Sequence, residues 1–447
     1  MRRLGLALGV VFGCGALSPG EALASGISVA RFGGEHGHPT TTNATAIFYN
    51  PAGIGMSDGT HLFADVSLAW RKTTYRHDLV GTDDGTVPGA NDGTGKLFNV
   101  LASPMLGVTT KIGDLALGAG FYVPYGGQSV WDKNDKFEDD PQYAGPVDGV
   151  QRWYVMEGII RSSFVTLAGA YHIKPARLSV GVSGNLIFTT VDTVRAKTPS
   201  GNNQVSAEGR AYLHATGTDW SLGVGALYEA MPKQLWVGAS YQSRPNLTGM
   251  KKLEGNQRTL LVNADGTYSD GDVPASMEHE LPDVIRLGGR YRPADDMEIR
   301  LFGDYTRWSV LERHIVKNTD KDSFLLDQER SWKDTFGVRA GFSKWVTQPL
   351  EVYGGAGFSS NAVPDSTLEP ALPDWDAFSF TAGGRYELVK DLFGSLSYTQ
   401  LVYLPRDTNG KNTLTEPNPS GAVPNPDAGG KYKQAVGVVN LNVDFAF

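Results

Sequence analysis

The chain has almost no cysteine. Of its 447 residues only Cys14 carries a thiol, and that residue lies close to the N-terminus. Disulfide frameworks, cysteine-ligated metals and thiol nucleophiles are therefore excluded for the rest of the chain. There is also no long hydrophobic run. Leu4–Phe12 is apolar but falls well short of the roughly 20 residues a helix needs to cross a bilayer. A basic excess is missing too: 40 Lys and Arg face 48 Asp and Glu, for a net charge of −8. That balance argues against a nucleic-acid partner, because few phosphate counterions would be released on binding. Catalytic patterning is absent as well. His61, His77, His172, His214, His279 and His314 are scattered, with no local catalytic motif. His36-Gly37-His38 is by itself no metal signature, and the acids of Asp132–Asp140 lack the fixed spacing of a calcium loop. No enzyme activity, metal or cofactor is expected.

What the chain does have is an export signal and strands. Arg2 and Arg3, the apolar stretch and Ala22-Leu23-Ala24 read as a cleavable signal over 1–24, with the mature chain starting at Ser25. Beyond it, segments of about ten residues alternate apolar and polar, the period of transmembrane strands. At the C-terminus Val439, Leu441, Val443, Phe445 and Phe447 share one face, and Asn440, Asn442 and Asp444 the other. With 55 glycines the chain is rich in turn and bend positions.

The spacing predicts about 14 strands between residues 60 and 447, and the connections decide what they build. Short links such as Gly113-Asp114, Lys174-Pro175-Ala176 and Val389-Lys390 alternate with long polar ones at 77–100, 126–158, 195–208, 250–275, 316–331, 363–375 and 405–431. A soluble sandwich has no reason to sort its loops this way. An outer-membrane barrel has short periplasmic turns and long outer loops, and closure removes edges that lipid could not satisfy. The expected fold is an all-β, transmembrane antiparallel barrel in the bacterial outer membrane. Residues 25–59 show little strand alternation, and an N-terminal segment entering from the periplasm can fold back into the lumen as a plug.

The residues then match a known family. Ser25-Gly26, Ala46–Gly53 (AIFYNPAG), Gly118–Gly127 (GAGFYVPYGG), Leu281-Pro282, Asp304–Ser309, Trp332–Thr335 and Val363-Pro364-Asp365 occur in order along nearly the whole mature chain. On these the chain resembles the FadL/TodX family of outer-membrane transporters for fatty acids and hydrocarbons. It departs from that family in Arg31–Thr42, which lacks the usual small-residue run and carries His36 and His38. The resemblance implies passive uptake of a hydrophobic small molecule by a monomer in contact with outer-membrane lipid and lipopolysaccharide. It implies loop capture, plug movement and lateral release at the third strand. Competing classes are a general porin and an adhesive or structural barrel.

Three groups of residues are candidates for this work. Phe48, Tyr49, Asn50, Pro51, Ala52 and Gly53 are the plug and gating residues implied by the resemblance; the alternative is an ordinary turn into the first strand. Gly118, Gly120 and Pro124 mark a third strand that can bend or lose a ladder bond, since proline has no N–H to donate. Strand parity turns Arg286, Arg290, Arg300, Arg339 and Arg385 inward with Trp236, Phe302 and Trp308. Charges facing lipid would cost about 2–4 kcal/mol each at mid-membrane. The guanidinium groups could hold a carboxylate or could pair with lumen acids such as Glu298, Asp304 and Asp444. The rings could line an apolar path or pack a plug.

Overall fold

The computed structural model describes residues 31–139, 144–262, 268–416, 420–422 and 424–447. The expected export signal lies outside them. Nineteen strands follow one another among the described residues. They are β1 (Thr60–His77), β2 (Gly93–Ile112), β3 (Leu115–Val130), β4 (Glu157–Ile173), β5 (Leu178–Lys197), β6 (Gly209–Met231) and β7 (Leu235–Gln242). Then come β8 (Leu253–Val262), β9 (Tyr268–Glu278), β10 (Val284–Ala294), β11 (Met297–Thr306), β12 (Arg313–Asn318) and β13 (Ser323–Glu329). The last are β14 (Thr335–Thr347), β15 (Leu350–Ser359), β16 (Ala377–Val389), β17 (Leu392–Tyr403), β18 (Arg406–Asp407) and β19 (Lys431–Ala446). Fourteen of these, β1–β7, β10, β11, β14–β17 and β19, pair antiparallel in sequence order, and β1 pairs with β19 (Asp65 opposite Asn442) to close the barrel. The barrel expected from the alternation is the one found.

Each strand separates its two faces as a membrane wall requires. Leu167, Val182, Leu287, Leu301, Phe380 and Leu441 point outward and are 55–68% exposed. Their inward neighbours Thr166, Ser183, Arg286, Arg300, Thr381, Asn440 and Asn442 are buried. An apolar exterior around a polar interior reverses the order of a soluble domain and fits a lipid surroundings. Of the tyrosines near strand ends, where rings commonly anchor at the lipid boundary, Tyr241, Tyr291, Tyr386 and Tyr398 face outward, but Tyr75, Tyr154 and Tyr403 are buried inside. Sequence position near a strand end does not fix which face an aromatic takes.

The wall is uneven in height. β6 has 23 residues and β7 only 8, against the roughly 9–11 that span a membrane. Above the end of β7 the upper part of β6 pairs instead with β8 (Arg210–Thr216 with Glu254–Leu260), β9 pairs with β12, and β12 with β13. The stretches 250–275 and 316–331, expected as plain loops, thus carry hairpins that continue the sheet upward. β2 also starts earlier and β3 ends later than the alternation suggests, so the first two long connections are shorter.

Inside the barrel runs the segment 31–56, with a short helix at Ala46–Tyr49 and a 3-10 helix at Pro51–Met56. Its backbone is held by side chains from around the wall. Asp65 accepts from Gly33 N (3.0 Å), and Asn440 donates to Arg31 O (2.8 Å). Ser179 donates to Ala52 O (2.7 Å), and Ser240 to Tyr49 O (2.6 Å). Partners on β1, β5, β7 and β19 place this segment in the lumen.

Candidate functional site

The luminal segment docks through Asn50, which is fully buried. Its side chain accepts from Ala52 N (3.1 Å) and donates to Pro39 O (2.7 Å) and to Ala226 O on β6 (3.0 Å). Proline at the first helical position needs no donor and fixes the turn, so Asn50-Pro51 starts the 3-10 helix where the segment meets the wall. Opposite this turn, β5 has glycine at 181: a Cβ there would lie 2.4 Å from Ala52 N and 2.5 Å from Pro51 C. Close approach to the wall depends on that missing side chain.

Phe48 leads a chain of aromatic contacts away from this seat. Its ring meets Phe32 (5.3 Å) and Tyr122 on β3 (5.2 Å); Tyr122 meets Phe164, Phe164 meets Tyr125, Tyr125 meets Trp308 (6.1 Å), and Trp308 meets Trp332 (5.1 Å). Ring pairs of this kind, edge-on, tilted or stacked, pack closely, and all of these rings are buried. Arg286 lies over the Phe48 ring at 4.5 Å and donates to Phe48 O (3.4 Å).

Between Tyr122 and Tyr125 the wall itself is interrupted. The β2–β3 ladder runs from Ile112 opposite Leu115 to Met105 opposite Tyr122 and stops. The next β2 residue is Pro104. On β3, Val123 and Pro124 form a bulge against β4 before pairing resumes at Tyr125 opposite Ser162. Prolines without donors therefore stand on both sides of the point where the ladder ends. Among the described residues only an isolated bridge, Leu97 to Trp131, rejoins the strands, roughly 26 Å further along β2 at about 3.3 Å per residue. Side chains take the orphaned backbone groups: Ser103 donates to Val123 O (2.9 Å), Asn99 accepts from Val130 N (3.3 Å), and buried Arg71 donates to Gln128 O (2.9 Å). Gly118 and Gly120 are not at the break. They lie in the paired part, opposite Thr109 and Gly107, with Ile47 of the luminal segment packed on them.

A narrow cavity of about 80 Å³ adjoins the break on the long-loop side. Gly127, Ile160, Val191, Leu213, Met277, Val316 and Leu372 give it apolar walls, and Arg195, Gln257, His314, Gln328 and Arg330 a polar corner. Arg330 bonds Glu369 (2.6 Å) and donates to His314 Nδ1 (3.1 Å), so His314 Nε2 carries the proton shared with His279 Nδ1 (3.0 Å). Burial, with Arg330 second, lowers His279 to about 4 and holds His314 well below the usual imidazole range. A depressed histidine stabilises fully above the unfolded value of about 6.5 and progressively less as pH falls towards the folded one. Hydrogen exchange of residues 311–330 is therefore expected to accelerate between pH 6.5 and 4, beyond the intrinsic rate change. In a His279→Asn/His314→Asn variant that extra acceleration should vanish; an unchanged profile would show that another group controls the loops.

The opposite, short-turn end of the lumen is polar. A cavity of about 250 Å³ there is lined by His36, His38, Arg290, Glu298, Glu351, Arg385 and Asp444 among others. His36 meets Glu351 at 3.2 Å, Arg385 meets Asp444 at 3.5 Å, and Arg290 and fully buried Arg300 lie 3.8 and 3.7 Å from Glu298. Arg290 also covers the Trp236 ring at 4.3 Å. Phe302 faces His38 at 5.7 Å and Arg339 at 5.9 Å. The inward residues singled out in the sequence are thus divided. Arg286 and Trp308 belong to the aromatic lane, and Trp236, Arg290, Arg300, Phe302, Arg339 and Arg385 to the lower lumen. Sequence reasoning missed Arg71, Asn99, Ser103, Pro104 and Arg195; of these only Pro104, a proline inside a strand, carries a local signal.

A closed wall with an apolar outside, an occupied polar lumen and one interrupted ladder defines an outer-membrane β-barrel. The sequence model described as "Outer membrane protein transport protein (OMPP1/FadL/TodX)" matches residues 15–447, and the chain belongs to that family of outer-membrane transporters for hydrophobic compounds. It is 24% identical over 393 residues to a putative outer membrane protein of Neisseria meningitidis serogroup B, covering 80% of each chain. It is 23% identical over 260 residues to the long-chain fatty acid transport protein of Escherichia coli K12, covering 51% of this chain and 57% of that one. A crystal structure of a Pseudomonas aeruginosa FadL homologue superimposes with a TM-score of 0.76 at 17% identity, over 96% of this chain and 100% of that chain. The Pseudomonas putida toluene transporter TodX gives 0.65 at 14% identity, over 91% and 94%. At these identities the superpositions speak for the fold.

Proposed function

We propose that this protein carries long-chain fatty acids or hydrocarbons passively across the outer membrane as a monomer. On this reading residues 1–24 are the export signal, 25–59 a plug and 60–447 the barrel. Solute enters the loop-side cavity, follows the aromatic lane to Phe48 and leaves sideways through the β2–β3 break. The observation that carries this is the lane itself: apolar rings lead from Trp332 past the break to the luminal segment, whereas the lower lumen is lined with ion pairs. A hydrophobic molecule loses its favourable transfer free energy in a charged, wet passage, so release beside the rings is favoured over passage below them. Arg195 favours a carboxylate end on the solute. It lines the cavity and bonds the neutral Asn425 (3.1 Å), whereas Arg330 is already matched by Glu369. The cavity is narrower than the roughly 300–1,000 Å³ of typical small-molecule sites, so a full-length ligand requires the loops to move.

The test is uptake of labelled oleate and toluene by cells lacking their own transporters, beside a variant without residues 25–50. Saturable uptake of oleate or toluene with low ion conductance from the intact protein is expected. No uptake of either, with high conductance from the intact protein, would replace the reading with a porin.

A further inference from the structure

Five cations share one outward face on β19, β1 and β2. Lys72 and Arg76 on β1, Lys96 on β2, and Lys431 and Lys433 on β19 are exposed, while Thr73, Tyr75, Leu97 and Tyr432 between or beside them turn inward and are buried. The register sets Lys433, Thr74 and Lys96 in one row and Lys431 and Arg76 in the row above, towards the long loops. Lys72 lies in the row below, between Ala435 and Phe98. With strands about 4.8 Å apart and outward positions roughly 6.7 Å apart along a strand, the five occupy an area of roughly 10 by 14 Å.

Acids border this patch without neutralising it. Asp78 pairs with Arg76 (3.2 Å), Asp407 stands opposite Lys431 in register, and Asp132 adjoins Lys96 through a backbone bond. Among the described residues no carboxylate lies within ion-pair distance of Lys72, Lys96, Lys431 or Lys433. Elsewhere on the loop side several exposed cations are matched, Arg258 by Asp270 (2.5 Å), Lys252 by Glu278 (2.9 Å) and Arg307 by Asp283 (2.6 Å), and the exposed Lys251, Lys321 and Lys333 are not gathered on one face of adjacent wall strands as these five are. Immediately below the patch the wall turns apolar, with Leu68, Phe98 and Val100 at 44%, 59% and 61% exposure.

We propose that this patch binds the phosphorylated sugar headgroup of the glycolipid in the outer leaflet of the outer membrane. Like charges crowded on a membrane-facing wall repel one another, and an anion lying over them removes that repulsion. Lysine stems can run along the apolar wall while their ammonium groups rise to the headgroup level, where compact point charges suit phosphate. The aliphatic belt below offers a surface for acyl chains, so charge and apolar area are ordered as in an amphipathic anionic lipid. Phe98 and Val100 belong to the stretch of β2 that lacks a β3 partner, so a bound glycolipid would stand at the lip of the break. The proposal itself does not depend on what the barrel transports.

The experiment measures binding of fluorescent bisphosphorylated lipid A to the purified full-length mature protein in zwitterionic detergent micelles. The panel includes K72Q/K96Q/K433Q, its arginine counterpart K72R/K96R/K433R, and K251Q/K321Q/K333Q as a control on other exposed lysines. Heat-modifiable gel migration confirms that each barrel is folded. The patch glutamine variant is expected to bind at least about tenfold more weakly, with a shallower salt dependence, and the arginine variant and the control to bind as the parent does. Equal binding by the patch glutamine variant, or equal binding of dephosphorylated lipid A by the parent protein, would overturn the proposal. Full competition by equimolar inorganic phosphate would overturn the assignment to a lipid.

Discussion

Gly181→Val is expected to raise the ion conductance of the barrel sharply. Residue 181 faces the lumen in β5, and a side chain there would meet Ala52 N at 2.4 Å, Pro51 C at 2.5 Å and Ala52 Cα at 2.7 Å. These are backbone atoms of a turn that Asn50 ties to Pro39 and Ala226, so no single side chain can rotate aside. The turn must lift as a unit, taking with it the bonds from Ser179 and Ser240. The wall should survive, because a strand tolerates valine and the ladder from Ala170 through Gly181 to Gly225 uses only backbone groups. Gly184→Val is the control, since a Cβ at that outward position meets nothing within 4 Å. Single-channel recording in planar bilayers should show a conductance rise on the order of tenfold or more for Gly181→Val and none for Gly184→Val, given that packed interiors cannot absorb such an overlap. Parental conductance from a folded Gly181→Val barrel would mean that the luminal segment does not close the pore.

The barrel was legible in the sequence because its cause is local. Lipid outside and water or polar chain inside impose a period of two on every strand, and alternation such as Val439 to Phe447 displays it directly. Inward parity likewise followed for Arg286 and Arg300. The site was less legible because its causes are relational. Gly181 looks like any strand glycine until Ala52 is seen beside it. Gly118 and Gly120 read as bend positions, yet they seat Ile47, and the interruption sits at Pro124 because a second proline, Pro104, happens to lie across from it. Arg71 caps the carbonyl of Gln128 from a strand away. No window of sequence contains both partners of these contacts. The hairpins β8–β9 and β12–β13 were hidden for a related reason: their strands are partnered by the overhanging part of β6 and by each other, not by a membrane, so they lack the lipid-facing apolar face that marks the wall.

On the proposed route solute leaves through the side of the barrel between β2 and β3. At present that opening is spanned by side chains, Ser103 to Val123 O and Asn99 to Val130 N, which can be released without breaking a ladder. The most direct test places cysteines on its two sides in S103C/V123C. The sequence has no other thiol beyond Cys14, which falls in the expected export signal. The pair is then joined by oxidation or a short bifunctional linker, and labelled oleate uptake is measured before and after reductive release. The joined form should take up oleate at least roughly tenfold more slowly, recover on reduction, and bind oleate as before, since transport is gated by the opening whereas the loop-side cavity is untouched. Uptake by the joined form at the rate of the reduced form would contradict lateral release.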